Sequence, residues 1–504
     1  MSGDHALEAG GDTAEVLAFL MREAGLGAER VTTHISHVVI GRDVVFKLKR
    51  PVRLAYLDFS TAGRRLMFCE REYRLNRRAD PDGLIYQGVR RIVRAPDGGL
   101  AFDAGGVLVD AVVCMHPFDQ GGLLDRLATA GPLAPALVDD LATAIAALHA
   151  QAEVSGDPRG AARMARVLDV NAAAFVDSGL LTAEAAAAVD RQFRDALDRH
   201  AALLDRRASE GRVCRCHGDL HLRNICVIAG RPVIFDCLEF DEDLATTDVL
   251  YDLAFLIMDL WHRDRKAAAN RLLNRYCDAT GEAEGLALVP FLVAVRAAVR
   301  AHVTASVGGA GEEAEAYLAL ARQALAGTPP VLVAVGGLSG SGKSSLAAIL
   351  APNLGALPGA RILSSDRLRK AHFGVPAQHR LSADAYRPEV SQAVYAAMRE
   401  AAAVVLAAGH AVIADAVHAR PAERDAIAAV GEASQTPFLG VWLDVPSDRL
   451  KARVAARRGD PSDATVATVE AQLGYDLGDI AWHRFDAGRP QGELAAEIAA
   501  LVQA

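Results

Sequence analysis

The stretch VLVAVGGLSGSGKSS at residues 331–345 constrains the fold of this chain more than any other. An apolar run is followed by Gly337, four further residues, and then Gly342, Lys343 and Ser344, after which a helical pattern begins. Glycines let successive backbone N–H groups surround phosphate oxygens at a helix N-terminus, where the helix dipole favours negative charge. The order of strand, loop and helix therefore predicts a phosphate-binding P-loop.

The residues of this loop have expected parts in binding ATP. Lys343 is expected to reach the outer phosphates and to act in catalysis, and the hydroxyl of Ser344 is expected to bind Mg²⁺. The other residues expected to contact the nucleotide are Gly337, Ser339, Gly340, Ser341, Gly342 and Ser345.

After residue 330 the chain alternates between short apolar runs and helical patterns. The runs that read as buried strands are VLVAVGG, ARILSSD, HAVIADAV and FLGVWLDV. This alternation predicts a parallel sheet wrapped by helices, which is a three-layer α/β/α domain over residues 330–504.

Charged residues follow two of these strands. Asp366 comes just after the second strand with Arg369 one turn further on, and Asp415 ends another strand with Arg424 beyond it. Similar segments occur in small-molecule P-loop kinases such as gluconate kinase and chloramphenicol phosphotransferase, and in zeta-toxin-like proteins. The resemblance implies that Asp366 is the base for an acceptor hydroxyl and that Arg369 and Arg424 bind substrate. Asp415 is expected to orient magnesium.

The later stretch DRLKARVAARRGDPSDA resembles a lid whose arginines close over the transferring phosphate. Arg453 and Arg457 are the expected catalytic arginines, with Arg458 as a substitute. Such an arginine contributes about 10³–10⁵ in rate. The alternative is that these residues form the solvated face of a basic helix.

A second group of chemistry-bearing residues lies in CRCHGDLHLRN, residues 214–224, and in the RPVIFDCLEF that follows. Asp219 can orient or deprotonate an attacking hydroxyl, while Asn224 and the strand-ending Asp236 can hold a metal ion against nucleotide phosphates. By itself the His-Gly-Asp tripeptide is weak evidence for a catalytic loop, because His217 could be a core histidine and Asp219 a turn former. The downstream asparagine and aspartate favour a phosphoryl-transfer site.

These residues resemble the aminoglycoside phosphotransferase and choline-kinase-like branch of the protein-kinase fold, over most of residues 30–305. The resemblance implies a bilobal domain in which Lys47 contacts nucleotide phosphates and Glu72 is its ion-pair partner. Lys49 lies on the same face of its strand as Lys47, so the two remain alternatives. Glu70 is likewise an alternative to Glu72.

At other positions of this segment the match to the family is less specific. Met115 resembles the hinge residue beside adenine, although an ordinary core strand is an equal reading. Asp248 and Asp252 are expected to support the site. The chain lacks a Gly-rich loop before Lys47, and Cys237 follows the metal aspartate where protein kinases have Phe. A protein substrate is therefore disfavoured.

Composition limits the cellular setting and the partners. The formal net charge of −9 argues against an extended nucleic-acid surface. Seven scattered cysteines, an acidic N-terminus without an export signal, and no uninterrupted apolar run of spanning length indicate a cytosolic protein without a membrane partner. A compact cluster could hold zinc, although no second cysteine pair has the usual spacing; it consists of Cys214, Cys216, His217 and His221.

The expected organisation is a mixed α/β and α+β chain of two kinase domains. Its expected parts are a helical extension at residues 1–29, a kinase-like domain at 30–305 whose small lobe ends near 118, a linker helix at 306–329, and a P-loop domain at 330–504. Both domains would transfer the γ-phosphoryl group of ATP to hydroxyls of small molecules. Two alternatives are that one domain senses nucleotide for the other, and that the P-loop domain is a polynucleotide-end or toxin-type kinase. The oligomeric state stays open.

Overall fold

The computed structural model describes residues 10–54, 57–307, 311–456 and 461–503. The chain forms two compact units. One contains residues 1–163 and 204–259, and the other contains residues 164–203 and 260–504. The helices after residue 260 thus group with the P-loop region, whereas the sequence analysis placed them, up to residue 305, with the first domain.

The first unit combines an antiparallel sheet with helices. In chain order its strands are β1 (Glu29–Thr32), β2 (Ser36–Ile40), β3 (Val45–Lys49), β4 (Arg53–Leu54), β5 (Leu57–Asp58), β6 (Tyr86–Arg94), β7 (Leu100–Phe102), β8 (Val107–Met115), β9 (Val213–Arg215), β10 (Ile225–Ile228), β11 (Arg231–Ile234) and β12 (Thr246–Asp248). The helices are α1 (Gly10–Ala24), α2 (Ala62–Ala79), α3 (Leu124–Ala130), α4 (Pro135–Ala150), α5 (Gly160–Asp177), α6 (Ala183–Ser209), α7 (Glu242–Ala245) and α8 (Val249–His262). Of these, α5, α6 and α8 cross a boundary between the units.

The main sheet of this unit has six strands in the order β1-β2-β3-β8-β6-β7. Strand β3 pairs antiparallel with both β2 and β8, and the alternation of side chains puts Lys47 and Lys49 on one face. Helix α2 packs on that face with buried Arg65, Cys69 and Glu72, spaced four and three residues apart along one side of the helix. This spacing brings Glu72 to the two lysines.

The second unit contains the P-loop region and the helices before it. Its remaining elements are α9 (Lys266–Thr280), α10 (Val289–Val307), α11 (Gly311–Ala326), β13 (Leu332–Gly336), α12 (Lys343–Leu350), β14 (Arg361–Ser364), α13 (Ser365–His372), α14 (Pro388–Ala407), β15 (Val412–Asp415), α15 (Pro421–Ala433), β16 (Phe438–Asp444), α16 (Ser447–Ala456), α17 (Val466–Leu473), β17 (His483–Asp486) and α18 (Gln491–Gln503).

The sheet of this unit is parallel, in the order β14-β15-β13-β16-β17. Strand β13, which leads into the P-loop, is central and fully buried, so the loop emerges at the carboxyl edge of the sheet. All four predicted strands and their parallel pairing are confirmed. The fifth strand, β17, was not predicted.

Helix α9 covers β14, an edge strand of this sheet. Asn274 donates to the carbonyl of Ala360 at 3.1 Å and accepts from the N–H of Ile362 at 2.7 Å. Asn270 also donates to Ala360, at 3.0 Å. An uncovered edge strand presents unpaired backbone groups, and here side-chain amides satisfy them.

One described helical stretch, Glu284–Ser306, has the length and mean hydropathy, 1.7, of a membrane-crossing segment. Most of this stretch is buried within the fold. A core helix passes the same test.

Candidate active sites

The His-Gly-Asp loop of the first unit follows β9 and is fixed by a carboxylate from α8. The backbone N–H groups of His217 and Gly218 donate to Asp252 at 3.2 and 2.9 Å, and the Nε2 of His149 lies 3.2 Å from the same carboxylate. Gly218 has φ +85, and a Cβ there would lie 2.8 Å from the side chain of Ala245. The loop therefore requires glycine at this position.

Asp219 and Asn224 are in direct contact. The amide of Asn224 donates to the Asp219 carboxylate at 3.0 Å and to the Asp219 main-chain carbonyl at 2.9 Å. The carbonyl of Asn224 in turn accepts from the N–H of Phe235 at 3.0 Å, which places the following residue, Asp236, beside the loop. The Asp219 side chain stays 42% exposed, so a substrate hydroxyl can reach it.

Lys47 bridges the sheet, α2 and the strand-ending aspartate. Its Nζ lies 2.8 Å from Glu72 and 2.5 Å from Asp236. Burial opposes the charge of Lys47, but Asp236 and Glu72 together raise its pKa well above the ordinary value. Asp236 adopts φ +64, and its N–H donates to the hydroxyl of Tyr86 at 3.1 Å. Such a backbone conformation is costly outside glycine and is typical of functional sites.

The structure distinguishes the alternatives at these positions. Lys49 is fully buried and forms ion pairs with Glu72, at 2.7 Å, and with Glu239. Burial would raise the pKa of Glu72, but the charges of Lys47 and Lys49 outweigh it and lower that pKa to about 2. Glu70 lies exposed on the other side of α2. Lys47 is thus the lysine that meets the exposed Asp236, and Lys49 is an internal partner of Glu72.

The remaining expected residues of this unit have mainly internal partners. Met115 ends β8, pairs with Val45 and Tyr86, and is partly buried against the core of the sheet. Asp248 accepts two hydrogen bonds from Arg207, at 2.7 and 3.0 Å. Asp248 and Asp252 are therefore supports of this lobe.

The four side chains weighed above as a zinc cluster are not assembled as a set of metal ligands within the described residues. The thiols of Cys214 and Cys216 instead face main-chain carbonyls. Within the described part of the chain, the three side chains close enough to share an ion are His149, Cys216 and Asp252, all buried. Asp252 already holds the His-Gly-Asp loop.

In the second unit, the P-loop connects β13 to α12 through three glycines with positive φ: Gly337 (+136°), Gly340 (+89°) and Gly342 (+98°). A Cβ on Gly337 would lie 2.8 Å from the Leu443 carbonyl. Lys343 curls back and donates to the carbonyl of Gly337 at 2.8 Å. Ser341 is buried, and its hydroxyl has no hydrogen-bond partner within the described residues. A hydroxyl of this kind in a glycine cradle fits a phosphate group.

Two oxygen donors lie beside the P-loop. The hydroxyl of Ser344 donates to the buried carboxylate of Asp415, at the end of β15, over 2.7 Å. Hydroxyl and carboxylate oxygens suit Mg²⁺, which binds few protein groups and takes its other ligands from phosphates and water. Ser339 is held by its N–H donating to Gln472 at 2.8 Å.

A cavity of about 1240 Å³ extends from the P-loop and includes Ser345, Asp366 and Arg369 in its lining. Arg369 donates to the carbonyl of Ala385 at 2.7 Å, and its guanidinium lies 4.8 Å from the ring centroid of Tyr386. The cavity therefore joins the phosphate cradle to the expected base and substrate anchor.

Of the arginines expected to act in catalysis, the structure describes Arg453 alone. Arg453 lines the cavity and donates to the carbonyls of Gly340 and Ser341 at 3.4 and 3.3 Å. Arg457 and its substitute Arg458 lie outside the described residues.

Arg424, expected to bind substrate, is instead part of the fold. It is buried, does not line the cavity, and donates to four main-chain carbonyls, those of His418, Ala419, Leu477 and Asp479. Its guanidinium therefore joins two loops.

Several residues of the cavity carried no sequence signal. Asp463 accepts from Lys370, from the hydroxyl of Tyr386 at 2.6 Å and from the N–H of Leu381 at 3.0 Å. Three further arginines line the same cavity: Arg380, Arg399 and Arg420. They lie outside the recognised motifs and are brought together only by the fold.

Comparison with known proteins matches two parts of the chain to family models. Residues 40–288 match the model of the phosphotransferase enzyme family, and residues 332–475 match that of an AAA domain. Uncharacterized proteins from Mycobacterium bovis and Mycobacterium tuberculosis are 29% identical over 477 residues, which is 91% of this chain and 92% of each relative.

Solved structures resemble parts of the chain. A choline/ethanolamine kinase family protein from Mesorhizobium loti is 15% identical, covers 62% of this chain and 95% of its own, and has a TM-score of 0.39. A gluconokinase from Sinorhizobium meliloti is 24% identical, with 34% and 92% covered and a TM-score of 0.24. The chain is therefore a kinase-type phosphotransferase whose residues 40–288 match the phosphotransferase enzyme family and whose residues 332–475 match an AAA domain.

Proposed function

We propose that the chain is a bifunctional, ATP- and Mg²⁺-dependent phosphotransferase that phosphorylates hydroxyl groups of small molecules at two separate sites. The observation that carries the proposal is a parallel arrangement of contacts in the two units. Each unit holds a strand-ending aspartate in contact with a second phosphate- or metal-binding side chain: Asp236 with Lys47 at 2.5 Å, and Asp415 with Ser344 at 2.7 Å.

At the first site Asp219 is the base. Asn224 orients its carboxylate through the 3.0 Å hydrogen bond, and Asp252 fixes the loop that carries it. The acceptor hydroxyl would lose its proton to Asp219 as its oxygen bonds to the γ-phosphorus and the bond to the β-phosphate oxygen breaks. Lys47 would hold nucleotide phosphates, and Asn224 and Asp236 would hold Mg²⁺, which neutralises developing charge.

At the second site Asp366 takes the corresponding proton. Lys343 and the P-loop N–H groups would hold the phosphates, and Ser344 and Asp415 would hold the metal ion. Arg453, in contact with the loop carbonyls, is positioned to meet charge on the transferring group. Arg369 is the proposed substrate anchor.

Separate Asp219→Asn and Asp366→Asn variants test the proposal. Each is assayed for ATP consumption and phosphorylated product on a panel of sugars, nucleosides and aminoglycosides, and each variant is the folded control for the other. We expect each change to abolish one set of products and to leave the other set. If both variants retain every product, the proposed bases are wrong. If the first unit binds ATP but no product depends on Asp219, that unit is a nucleotide sensor.

A further inference from the structure

We infer that the acceptor of the P-loop site is an anion, such as a carboxylate- or phosphate-bearing hydroxyl compound, bound by Arg399 together with Arg380 and Arg420. This inference rests on the proposed function of that site and adds the chemical class of its substrate. It distinguishes the P-loop site from one for neutral sugars or for cationic aminoglycosides.

The cavity extends along one face of α14. Ser391, Tyr395 and Arg399 all line it and are spaced four residues apart, so they lie above one another on the helix. Arg399 is 11 residues beyond Pro388, the cavity-lining residue that begins α14, which corresponds to about 16 Å along the axis. The cavity is therefore long enough to hold a substrate whose charged end lies away from its reacting hydroxyl.

Arg399 is the last residue of α14 that lines the cavity. Its side chain is half-buried, and within the described part of the chain it has no ion pair or hydrogen bond. Arg420, immediately before α15, and Arg380 also line the cavity, are exposed, and form no ion pair within the described residues. A guanidinium presents a planar set of donors that matches carboxylate and phosphate groups.

The acidic side chains of the cavity do not balance these arginines. Asp415 accepts from Ser344, and Asp463 is paired with buried Lys370. Glu423 accepts from the backbone N–H of Arg420, and Asp366 is the proposed base. With Asp463 paired to Lys370, the lining beyond the P-loop and Asp415 keeps four arginines, including Arg369, against Asp366 and Glu423. This part of the cavity therefore carries an excess of positive charge that attracts anions and repels cations.

Calorimetric titration of the full chain tests the inference, with the P-loop first filled by the non-hydrolysable analogue AMPPNP and Mg²⁺. The probes are matched pairs: D-gluconate with D-glucose, D-ribose 5-phosphate with D-ribose, and 3-phosphoglycerate with glycerol; kanamycin is the cation. We expect at least one anion to bind ten times or more tightly than its neutral partner, and kanamycin not to bind at this site.

Variants connect the binding to the arginines. Arg399→Gln and Arg420→Gln are each expected to weaken the anion tenfold or more, with AMPPNP affinity unchanged, and Arg399→Lys is expected to recover part of the loss. Arg322→Gln, on an exposed position of α11 outside the cavity, is the matched control. The inference is overturned if no anion binds better than its neutral partner, or if the preference survives both glutamine variants. Failure of AMPPNP itself to bind the wild-type chain would instead refute the proposed function.

Discussion

The two lysines of β3 differ in burial, and this difference predicts that the same substitution lowers stability to different extents at the two positions. Lys49→Met leaves the buried carboxylates of Glu72 and Glu239 with one cation fewer, since both pair with Lys49 at a side-chain exposure of 0–5%. Breaking a buried ion pair by removing one partner costs about 3–5 kcal/mol. For a unit of this size 1 kcal/mol corresponds to roughly 2–4 °C in Tm, so the first unit is expected to melt about 6–20 °C lower.

Lys47→Met is the matched control. Its partner Asp236 is 42% exposed and can be hydrated, while Glu72 keeps Lys49, so we expect a smaller loss of stability than for Lys49→Met. Activity at the first site is expected to be lost nonetheless, because Lys47 is the proposed phosphate contact. Differential scanning calorimetry, with ATP-dependent product formation measured at 25 °C, separates the two effects. Equal destabilisation by both variants, or a Lys49→Met protein as stable as wild type, would refute this division of roles.

Three further predictions concern single contacts. Because the pKa of Glu72 is lowered to about 2 from 4.5, its contribution to stability is full above pH 4.5 and is lost as the pH falls through 2; acid unfolding of Glu72→Gln should show less pH dependence in that window. Gly337→Ala places a Cβ 2.8 Å from a backbone carbonyl at φ +136 and should remove the P-loop site from an AMPPNP titration while the proposed site of the first unit still binds, whereas Gly492→Ala, with open space around it, should leave both. Asn274→Ala leaves edge-strand groups unpaired and should lower the unfolding free energy in denaturant titration by about 1–3 kcal/mol, whereas exposed Asn353→Ala should change it little.

Much of the fold could be predicted because the informative segments are local and periodic. In HVVIGRDVVFKLK, residues 37–49, two apolar runs flank a Gly-Arg-Asp turn, and they form the antiparallel pair β2 and β3. In AGRRLMFCEREYRLNRR, residues 62–78, apolar residues recur at helical spacing among charged ones, and the segment forms α2. The P-loop is likewise contained in one strand, one turn and one helix. Strand β17 could not be found, because His483–Asp486 is a short polar edge strand with one buried side chain and lacks an apolar run.

The candidate sites were predicted unevenly for a similar reason. Asp219 and Asn224 are five residues apart, so their contact lies within one loop. The contact of Lys47 with Asp236 joins positions 189 residues apart, and here only a resemblance to a family could indicate the pairing. For Arg424 the resemblance implies a substrate ligand, whereas in the fold the guanidinium is buried and donates to main-chain carbonyls.

The position of α9 in the second unit follows from polar contacts that no local sequence pattern predicts. The carboxylate of Asp278 receives Arg361 at 2.6 Å and Arg367 at 3.4 Å, and Arg367 is the neighbour of Asp366, the proposed base. An apolar pattern on α9 would predict only that the helix packs somewhere, whereas its amides and this carboxylate match the polar edge of β14. Because burying a polar group without a hydrogen-bond partner costs free energy of folding, this match fixes where the helix lies. Helix α9 is thereby joined to the segment that carries the proposed base of the second site.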